Sequence, residues 1–198
     1  GLRKYDPQVV IDIQSVMARG RELLKTDPDK INSEIQKGKS SDTSIILYTS
    51  GTTGRPKGVV LSHKNMVTGA RSVASYLGNH ADDRLLAVLP FSFDYGLSQL
   101  TTAFSVGASV ALMDYLLPRD VIRAVDRYNI SGLAAVPPIW NQLAQLEWPE
   151  SATSSLRYIT NSGGAMPQAT TTKLRTSLPR TQVFLMYGLT EAFRSTYL

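Results

Sequence analysis

The chain contains no cysteine and only two histidines among its 198 residues. The lack of cysteine excludes disulfides, thiolate metal sites and a cysteine nucleophile. No apolar run is long enough to span a membrane, and the first residues lack the charged-then-apolar pattern of a secretion signal. These absences predict a soluble cytoplasmic protein, and the apolar fraction of 42% is sufficient for an ordinary core.

Charge is also sparse, since charged residues make up 19% of the chain. The net charge of +5 is spread along the sequence, without a basic run or a basic stripe interleaved with aromatic residues. This distribution argues against nucleic-acid binding and suits a small anionic substrate.

Apolar runs alternate with amphipathic stretches over residues 42–198, which predicts an α/β fold with mostly parallel sheets flanked by helices. Residues 1–41 predict an N-terminal segment of short helices and a connector. In parallel sheets, ligands bind beyond the carboxyl ends of the strands. Four polar or glycine-rich loops follow predicted strands, namely TSGTTGRPKG, FSFDYG, NSGGAMP and YGLTEA.

The first loop belongs to the stretch Tyr48–Gly58, which reads YTSGTTGRPKG. Glycines let backbone N–H groups face an anion, hydroxyls donate to phosphate oxygens, and Lys57 adds positive charge. The stretch is not a P-loop, because Pro56 precedes the lysine and a glycine, rather than serine or threonine, follows it. A solvated linker has a similar composition, but the order of residues favours a loop that closes over phosphates.

The last two loops have both a binding and a structural interpretation. Gly163 and Gly164 allow a flat ligand to lie against bare backbone, but they also suit a plain turn from strand to helix. In YGLTEA, Tyr187 can stack on a base and Thr190 can donate to phosphate. Glu191 can bind Mg²⁺, which takes few protein carboxylates, although a glutamate after a strand is commonly a surface residue.

In this order, the stretches YTSGTTGRPKG, SGGA and YGLTEA resemble the adenylate-forming superfamily of acyl-CoA synthetases, luciferases and nonribosomal adenylation domains. The resemblance covers residues 42–198, as a partial AMP-binding core. The stretches FSFDYGLSQLTTAF, NSGGAMP and MYGLTEAFRSTYL are similar to a bacterial acyl-CoA ligase-like subgroup associated with exosortase loci. The resemblance implies that ATP and a carboxylate give an acyl-adenylate and pyrophosphate. A thiol, usually that of coenzyme A, then takes the acyl group.

The resemblance also implies roles for individual residues. Lys57, Thr190 and Glu191 would act in catalysis, with Glu191 as the Mg²⁺ ligand. The loop from Thr49 to Lys57 would hold the β- and γ-phosphates, the SGGA glycines would lie along adenine under Tyr187, and Thr190 would contact the α-phosphate. The full nucleotide-binding set would be Thr49, Ser50, Gly51, Thr52, Thr53, Gly54, Lys57, Gly163, Gly164, Ala165, Tyr187, Gly188 and Thr190.

The loop after Pro90 would shape the substrate pocket through Phe93 and Asp94. Many acyl-CoA synthetases and luciferases have a histidine where Phe93 falls. The pair Phe93–Asp94 is more similar to amino-acid-activating domains, in which the aspartate pairs with the substrate ammonium group. Asp94 can instead cap a helix that begins near Gly96. Trp140 either lines the same pocket or belongs to the core.

Three functions therefore stay open. The chain is the nucleotide-binding core of an acid–thiol ligase, an amino-acid-activating domain that loads a carrier-protein thiol, or a non-catalytic nucleotide-binding module. Family members continue beyond the position of Leu198 with a C-terminal domain that carries a catalytic lysine. We therefore expect a fragment of the large N-terminal domain that does not complete adenylation alone.

Overall fold

The structure, a computed structural model, describes residues 10–49 and 55–196, with the backbone alone for residues 194 and 195. The chain forms two compact units, one ending at Asp42 and the other beginning at Thr43. The assignment of residues 1–41 and 42–198 as separate functional segments stays a prediction. No helix in the described ranges is long and apolar enough to cross a membrane.

The first unit contains two helices, α1 (Ile13–Thr26) and α2 (Lys30–Lys37). Asp12 caps the start of α1, because its carboxylate accepts a hydrogen bond from the backbone N–H of Ser15 at 3.0 Å. Neither helix carries a residue of the predicted site.

The second unit begins with an antiparallel hairpin and continues with alternating strands and helices. The hairpin pairs β1 (Thr43–Thr49) with β2 (Lys57–Ser62). The following elements are α3 (His63–Leu77), β3 (Arg84–Ala87), α4 (Asp94–Ser105), β4 (Ser109–Leu112), α5 (Pro118–Arg127), β5 (Gly132–Ala135), α6 (Pro137–Leu143), α7 (Glu150–Ser155), β6 (Tyr158–Asn161), α8 (Gln168–Ser177), β7 (Gln182–Leu185), β8 (Tyr187–Leu189), a 3₁₀ helix (Thr190–Ala192) and β9 (Arg194–Thr196).

Five of these strands form one parallel sheet in the order β4-β3-β5-β6-β7. After β4, the chain returns past β3 and places β5 on its other side, so the direction of strand addition reverses between β3 and β5. Such a reversal opens a crevice beyond the carboxyl ends of the two strands, where ligands bind in open α/β sheets. The predicted α/β fold with a mostly parallel sheet flanked by helices is confirmed.

The parallel sheet carries the main apolar core. Every residue of β5 and β6 is buried, as is typical of strands covered on both faces. Trp140 is fully buried, and its indole N–H donates to the carbonyl oxygens of Ala135 at 3.0 Å and Thr160 at 3.1 Å. Trp140 therefore belongs to the core and does not line a substrate pocket.

A second, smaller apolar cluster joins the hairpin to the last elements of the chain. It contains Leu47 from β1, Leu61 from β2 and Phe193, all of them buried. Phe193 adopts the left-handed backbone region with φ 51° and so turns the chain from the 3₁₀ helix into β9. The 3₁₀ helix consequently lies in contact with β2.

Two of the predicted loops differ from the structure. The segment between Thr49 and Lys57 does not leave the parallel sheet but connects the antiparallel strands β1 and β2. A parallel pairing needs a crossover of about a dozen residues or more, and this connection is shorter. The prediction of a plain loop over Tyr187–Ala192 is also wrong, because β8 pairs with β9 and a 3₁₀ helix lies between them.

Two helices also differ from the predictions. Helix α4 begins at Asp94, before the predicted start near Gly96. Gly96 allows the first turn of α4 to lie close to the backbone of Pro90. A Cβ at position 96 would be only 2.2 Å from the carbonyl oxygen of Pro90. Helix α7 was not predicted, since its serine and threonine residues have low helix propensity.

Candidate active site

The loop over residues 162–166 leaves the carboxyl end of β6 and lies against the crevice between β3 and β5. Gly163 adopts the left-handed region with φ +78°. A Cβ at Gly163 would lie 3.4 Å from Cγ1 of Val136, which follows β5, and 3.6 Å from Cζ of Phe93, which follows β3. The predicted glycine loop and the predicted substrate loop therefore meet where the strand order reverses.

The carboxyl end of β6 is held by contacts on both sides. The hydroxyls of Thr160 and Tyr95 share a hydrogen bond of 2.5 Å, which ties β6 to the first turn of α4. The carbonyl oxygen of Asn161 accepts from the backbone N–H of Met186 at 2.8 Å. The second bond brings the chain entering YGLTEA next to the start of the glycine loop.

The YGLTEA residues are accessible to a ligand. Tyr187 is 70% exposed at the start of β8, and Gly188 beside it is half-buried. In the 3₁₀ helix, Thr190 is half-buried and Glu191 is exposed, with no ion pair to any described residue. A carboxylate in this state can still accept a cation.

The hairpin contributes the cationic side of the candidate site. Thr49 and Lys57 are directly paired at the end of the β1–β2 ladder next to the connecting segment, and Lys57 is exposed. Because the 3₁₀ helix contacts β2, the element that carries Glu191 lies against the strand that carries Lys57. The remaining predicted phosphate-binding residues lie outside the described ranges: Ser50, Gly51, Thr52, Thr53 and Gly54.

Asp94 lies in the first turn of α4 and is only 8% exposed. Its carboxylate forms no hydrogen bond or ion pair with any residue that the structure describes. The N-cap position belongs to Phe93 and has no side-chain capping bond, so the cap interpretation of Asp94 is wrong. This carboxylate can therefore accept a hydrogen bond from a ligand.

Sequence reasoning missed Asn161 and Ser162, which end β6 and begin the glycine loop. Asn161 is buried, and its Oδ1 has no hydrogen-bond partner among the described residues. Ser162 is also buried. The signal available in the sequence was three consecutive polar residues, Thr160, Asn161 and Ser162, directly before the two glycines.

A cavity of about 640 Å³ opens at the carboxyl ends of β3 and β4. Its walls are mainly apolar, with Asp114 and Tyr115 as polar lining residues and Phe91 on the side of the substrate loop. The Tyr115 hydroxyl donates to Oε1 of Gln142 at 3.0 Å, and burial raises the pKa of this hydroxyl. The cavity and the predicted substrate residues therefore share the loop after β3.

A different polar cluster lies at the amino end of the same sheet, where Asp83, Ser131 and Arg157 directly precede β3, β5 and β6. Arg157 pairs with the fully buried Asp83 carboxylate at 2.7 Å, and Ser131 donates to it at 2.7 Å. Burial alone would raise the pKa of Asp83, but hydrogen bonds from Arg157, Asn79 and Ser131 lower it to about 2. This cluster is at the opposite edge from the glycine loop and has the character of a structural network.

Comparison with known proteins identifies the family. A family model described as AMP-binding enzyme matches residues 2–197. Bacitracin synthase 3 of Bacillus licheniformis is 31% identical over 192 residues, which are 96% of this chain and 3% of that protein. The chain spans about a third of the length of the curated coenzyme A ligases that it matches.

Solved structures agree with this relationship. O-succinylbenzoate coenzyme A synthetase from Bacillus subtilis, in complex with ATP and magnesium ion, has a TM-score of 0.72 and 32% identity, covering 81% of this chain and 33% of that one. The structure of VinN with L-aspartate has a TM-score of 0.71 and 28% identity, covering 81% of this chain and 41% of that one. The resemblance carried by the three sequence motifs is confirmed, and the chain belongs to the AMP-binding enzyme family, alongside acyl-CoA ligases and adenylation domains.

Proposed function

We propose that this chain forms the nucleotide-binding part of an AMP-forming acid–thiol ligase. Such an enzyme activates a carboxylic acid as an acyl-adenylate and passes the acyl group to a thiol such as that of coenzyme A. One observation carries the proposal: the glycine loop after β6 meets the loop after β3 at the strand reversal, beside the entry to YGLTEA. The similarity to a coenzyme A synthetase bound to ATP supports it.

Each part of the site would contact a different part of ATP. Adenine would lie on the backbone of Gly163 and Gly164, where neither residue has a side chain to block a flat ring. Tyr187 is exposed and free to stack on the ring, as aromatic side chains do with nucleobases. Lys57 and Thr49, a pair at the connected end of the hairpin, would hold the terminal phosphates.

The reaction would bring two anions together. An oxygen of the carboxylate attacks the α-phosphorus and the bond to pyrophosphate breaks, so negative charge must be offset in the transition state. Lys57 would offset charge on the leaving pyrophosphate, and Thr190 would donate to the α-phosphate. Mg²⁺ would neutralise phosphate oxygens when bound, and Glu191, which has no ion pair among the described residues, fits as its one protein carboxylate.

The second reaction would use the cavity at the ends of β3 and β4. The thiolate attacks the acyl carbonyl carbon and AMP leaves. The apolar walls suit the hydrocarbon part of the acid or of the thiol co-substrate, and the volume of about 640 Å³ lies within the range of small-molecule sites.

Nucleotide titration of this chain, with and without Mg²⁺, tests the proposal. We expect Lys57→Ala to weaken ATP binding roughly tenfold, because one close phosphate contact is worth about 1.4 kcal/mol. Glu191→Gln should remove most of the Mg²⁺ dependence. Lys64→Ala, which removes an exposed lysine on α3, is the matched control and should change neither. Absence of ATP binding by the unmodified chain would overturn the proposal.

Carboxylate-dependent ATP–pyrophosphate exchange tests the chemistry. We expect exchange with at least one acid when the chain is part of its longer protein, and none from these 198 residues alone. Exchange by the isolated chain would contradict the expectation that further segments are needed. ATP binding without exchange in the longer protein would favour a non-catalytic nucleotide-binding module.

One observation favours an amino acid as the substrate. Asp94 is 8% exposed and no described residue donates to its carboxylate, which suits an ammonium group, and VinN is a similar protein whose structure contains L-aspartate. In this reading, the acceptor would be a carrier-protein thiol. Asp94→Ala in the longer protein should abolish activity with amino acids and leave plain acids active. Equal losses with both classes would exclude the ammonium role.

Two assignments stay predictions, namely the cytoplasmic location and the membership of the exosortase-associated subgroup. Neither changes the expected chemistry of the site. Fractionation of cells that express the protein with a tag would test the location.

A further inference from the structure

The glycine loop has little hydrogen bonding of its own. Among the described residues, its five members (residues 162–166) take part in a single hydrogen bond, in which Nδ2 of Asn161 donates to the carbonyl oxygen of Gly164 at 2.9 Å. The neighbours that a Cβ at Gly163 would meet, Val136 and Phe93, are apolar, and Met166 packs against the core, so these groups do not fix the direction of the peptide groups. Among the described residues, Asn161 is therefore the one side chain that fixes a peptide group of this loop by a hydrogen bond.

Asn161 is itself held firmly. It is 2% exposed and is the last residue of β6, paired with Ala135 on one side and Leu185 on the other. Its carbonyl oxygen also accepts from the backbone N–H of Met186. The side chain thus connects the sheet to a loop that makes no other hydrogen bond among the described residues.

We infer that Asn161 is a positioning residue for the nucleotide, which holds the Gly163–Gly164 backbone as a flat surface for the base. This inference rests on the proposed function. The bond to Gly164 stabilises the left-handed turn at Gly163, so that the bare backbone of both glycines stays in place above Val136 and Pro137.

The other half of the amide argues against a role in stability alone. Oδ1 of Asn161 is buried without a donor among the described residues, and an unpaired buried acceptor opposes folding. Rotating the amide would not help, because Oδ1 would then face the Gly164 carbonyl oxygen. An apolar residue would avoid this cost at the end of a buried strand, so the donor to Gly164 is the feature that distinguishes asparagine here.

The test separates the base from the phosphates. Binding of ATP and of inorganic tripolyphosphate to this chain is measured for the unmodified protein and for Asn161→Ala. We expect ATP affinity to fall roughly tenfold, the size of one lost positioning interaction, while tripolyphosphate affinity changes less than about twofold. Tripolyphosphate has no base, so it depends on the hairpin and not on the glycine loop.

Two further variants complete the test. Asn161→Asp keeps the side-chain size but, when ionised, cannot donate to Gly164, and it should show the same selective loss if the alanine variant folds poorly. The control is Asn141→Ala on α6, which removes another hydrogen-bonded asparagine. Oδ1 of Asn141 accepts from the Thr170 hydroxyl at 2.6 Å. This variant should leave the ratio of the ATP and tripolyphosphate affinities unchanged.

The possible failures are distinguishable. The inference is overturned if the affinities for ATP and tripolyphosphate fall together. It is also overturned if neither affinity falls in either of the two Asn161 variants. If the unmodified chain binds neither ligand, the proposed nucleotide site is wrong and the inference falls with it.

Discussion

The two ends of the same parallel sheet differ in whether their buried polar groups have hydrogen-bond partners. At the amino end, the Asp83 carboxylate accepts hydrogen bonds from Arg157, Ser131 and Asn79. At the carboxyl end, Oδ1 of Asn161 is buried without a partner among the described residues, and no described residue donates to the carboxylate of Asp94, a residue that is 8% exposed. The first arrangement stabilises the fold, and the second weakens it unless a ligand supplies the missing partners.

The contrast follows from position along the strands. Asp83, Ser131 and Arg157, which precede β3, β5 and β6, bond to one another and to groups at the end of α3, and so close a network. Its one imperfect member is Asn79, whose Nδ2 donates to Asp83 and Tyr158 while Oδ1 has no partner in the described ranges. Residues after the strands border the crevice, where substrate groups would compete with internal pairing. The structural network and the candidate site therefore lie at opposite ends of one sheet.

The largest effect should come from Asp83→Ala. The change leaves the Arg157 guanidinium partly buried without its carboxylate, and we expect a loss of about 3 kcal/mol in the free energy of unfolding. Urea denaturation measures this loss, while ATP affinity of the folded fraction should stay unchanged. Asp120→Ala, which breaks the exposed pair with Arg123, should cost less than about 0.5 kcal/mol. If Asp83→Ala also lowered the ATP affinity of the folded protein, the two ends of the sheet would not have separate roles.

Lowering the pH should also reduce the free energy of unfolding through Asp83, by less than Asp83→Ala does. Folding lowers the pKa of Asp83 from its ordinary value of 3.8 to about 2, so its contribution is fully present above about pH 4 and is lost as the pH falls towards 2. The free energy of unfolding should therefore fall more steeply between pH 4 and pH 2 in the unmodified protein than in Asp83→Asn. Parallel curves for the two proteins would contradict the assignment.

Two left-handed glycines offer a matched pair, one at each end of the sheet. Gly163 has φ +78° in the candidate site, and Gly78 has φ +60° at the end of α3, where its carbonyl oxygen accepts from Arg157. Alanine at either position should cost about 1 kcal/mol of stability, because a Cβ disfavours this conformation. Only Gly163→Ala should also weaken ATP binding, measured by titration. Equal ATP affinities in the two variants would contradict a role of the glycine loop in ATP binding.

Much of this organisation could be predicted from local sequence. The apolar runs of β5 and β6 and the left-handed cap at Gly78 follow from composition and turn chemistry. The convergence of the loops could be expected from the rule for parallel strands, and YGLTEA and NSGGAMP do meet through the bond between Met186 and Asn161.

The parts that could not be predicted depend on long-range contacts. The antiparallel hairpin requires the pairing of Leu47 with Val59, and the turn after YGLTEA requires burial of Phe193 between distant strands. Local patterns contain neither piece of information. The role of Asp94 was likewise open, because only the structure tells a helix cap from a buried residue inside the first turn.

The smallest effect should have the opposite sign to that of Asp83. Asp94→Asn replaces a carboxylate to which no described residue donates, in a residue that is 8% exposed, so we expect unfolding to become more difficult by up to about 1 kcal/mol. The gain is limited because a negative charge in the first turn of α4 interacts favourably with the helix dipole, by about 0.5 kcal/mol. Asp83→Asn, the same chemical change at the paired end, should lower stability. If both substitutions lower the free energy of unfolding in urea, Asp94 stabilises the fold like Asp83, and the proposed recognition of an ammonium group loses its structural basis.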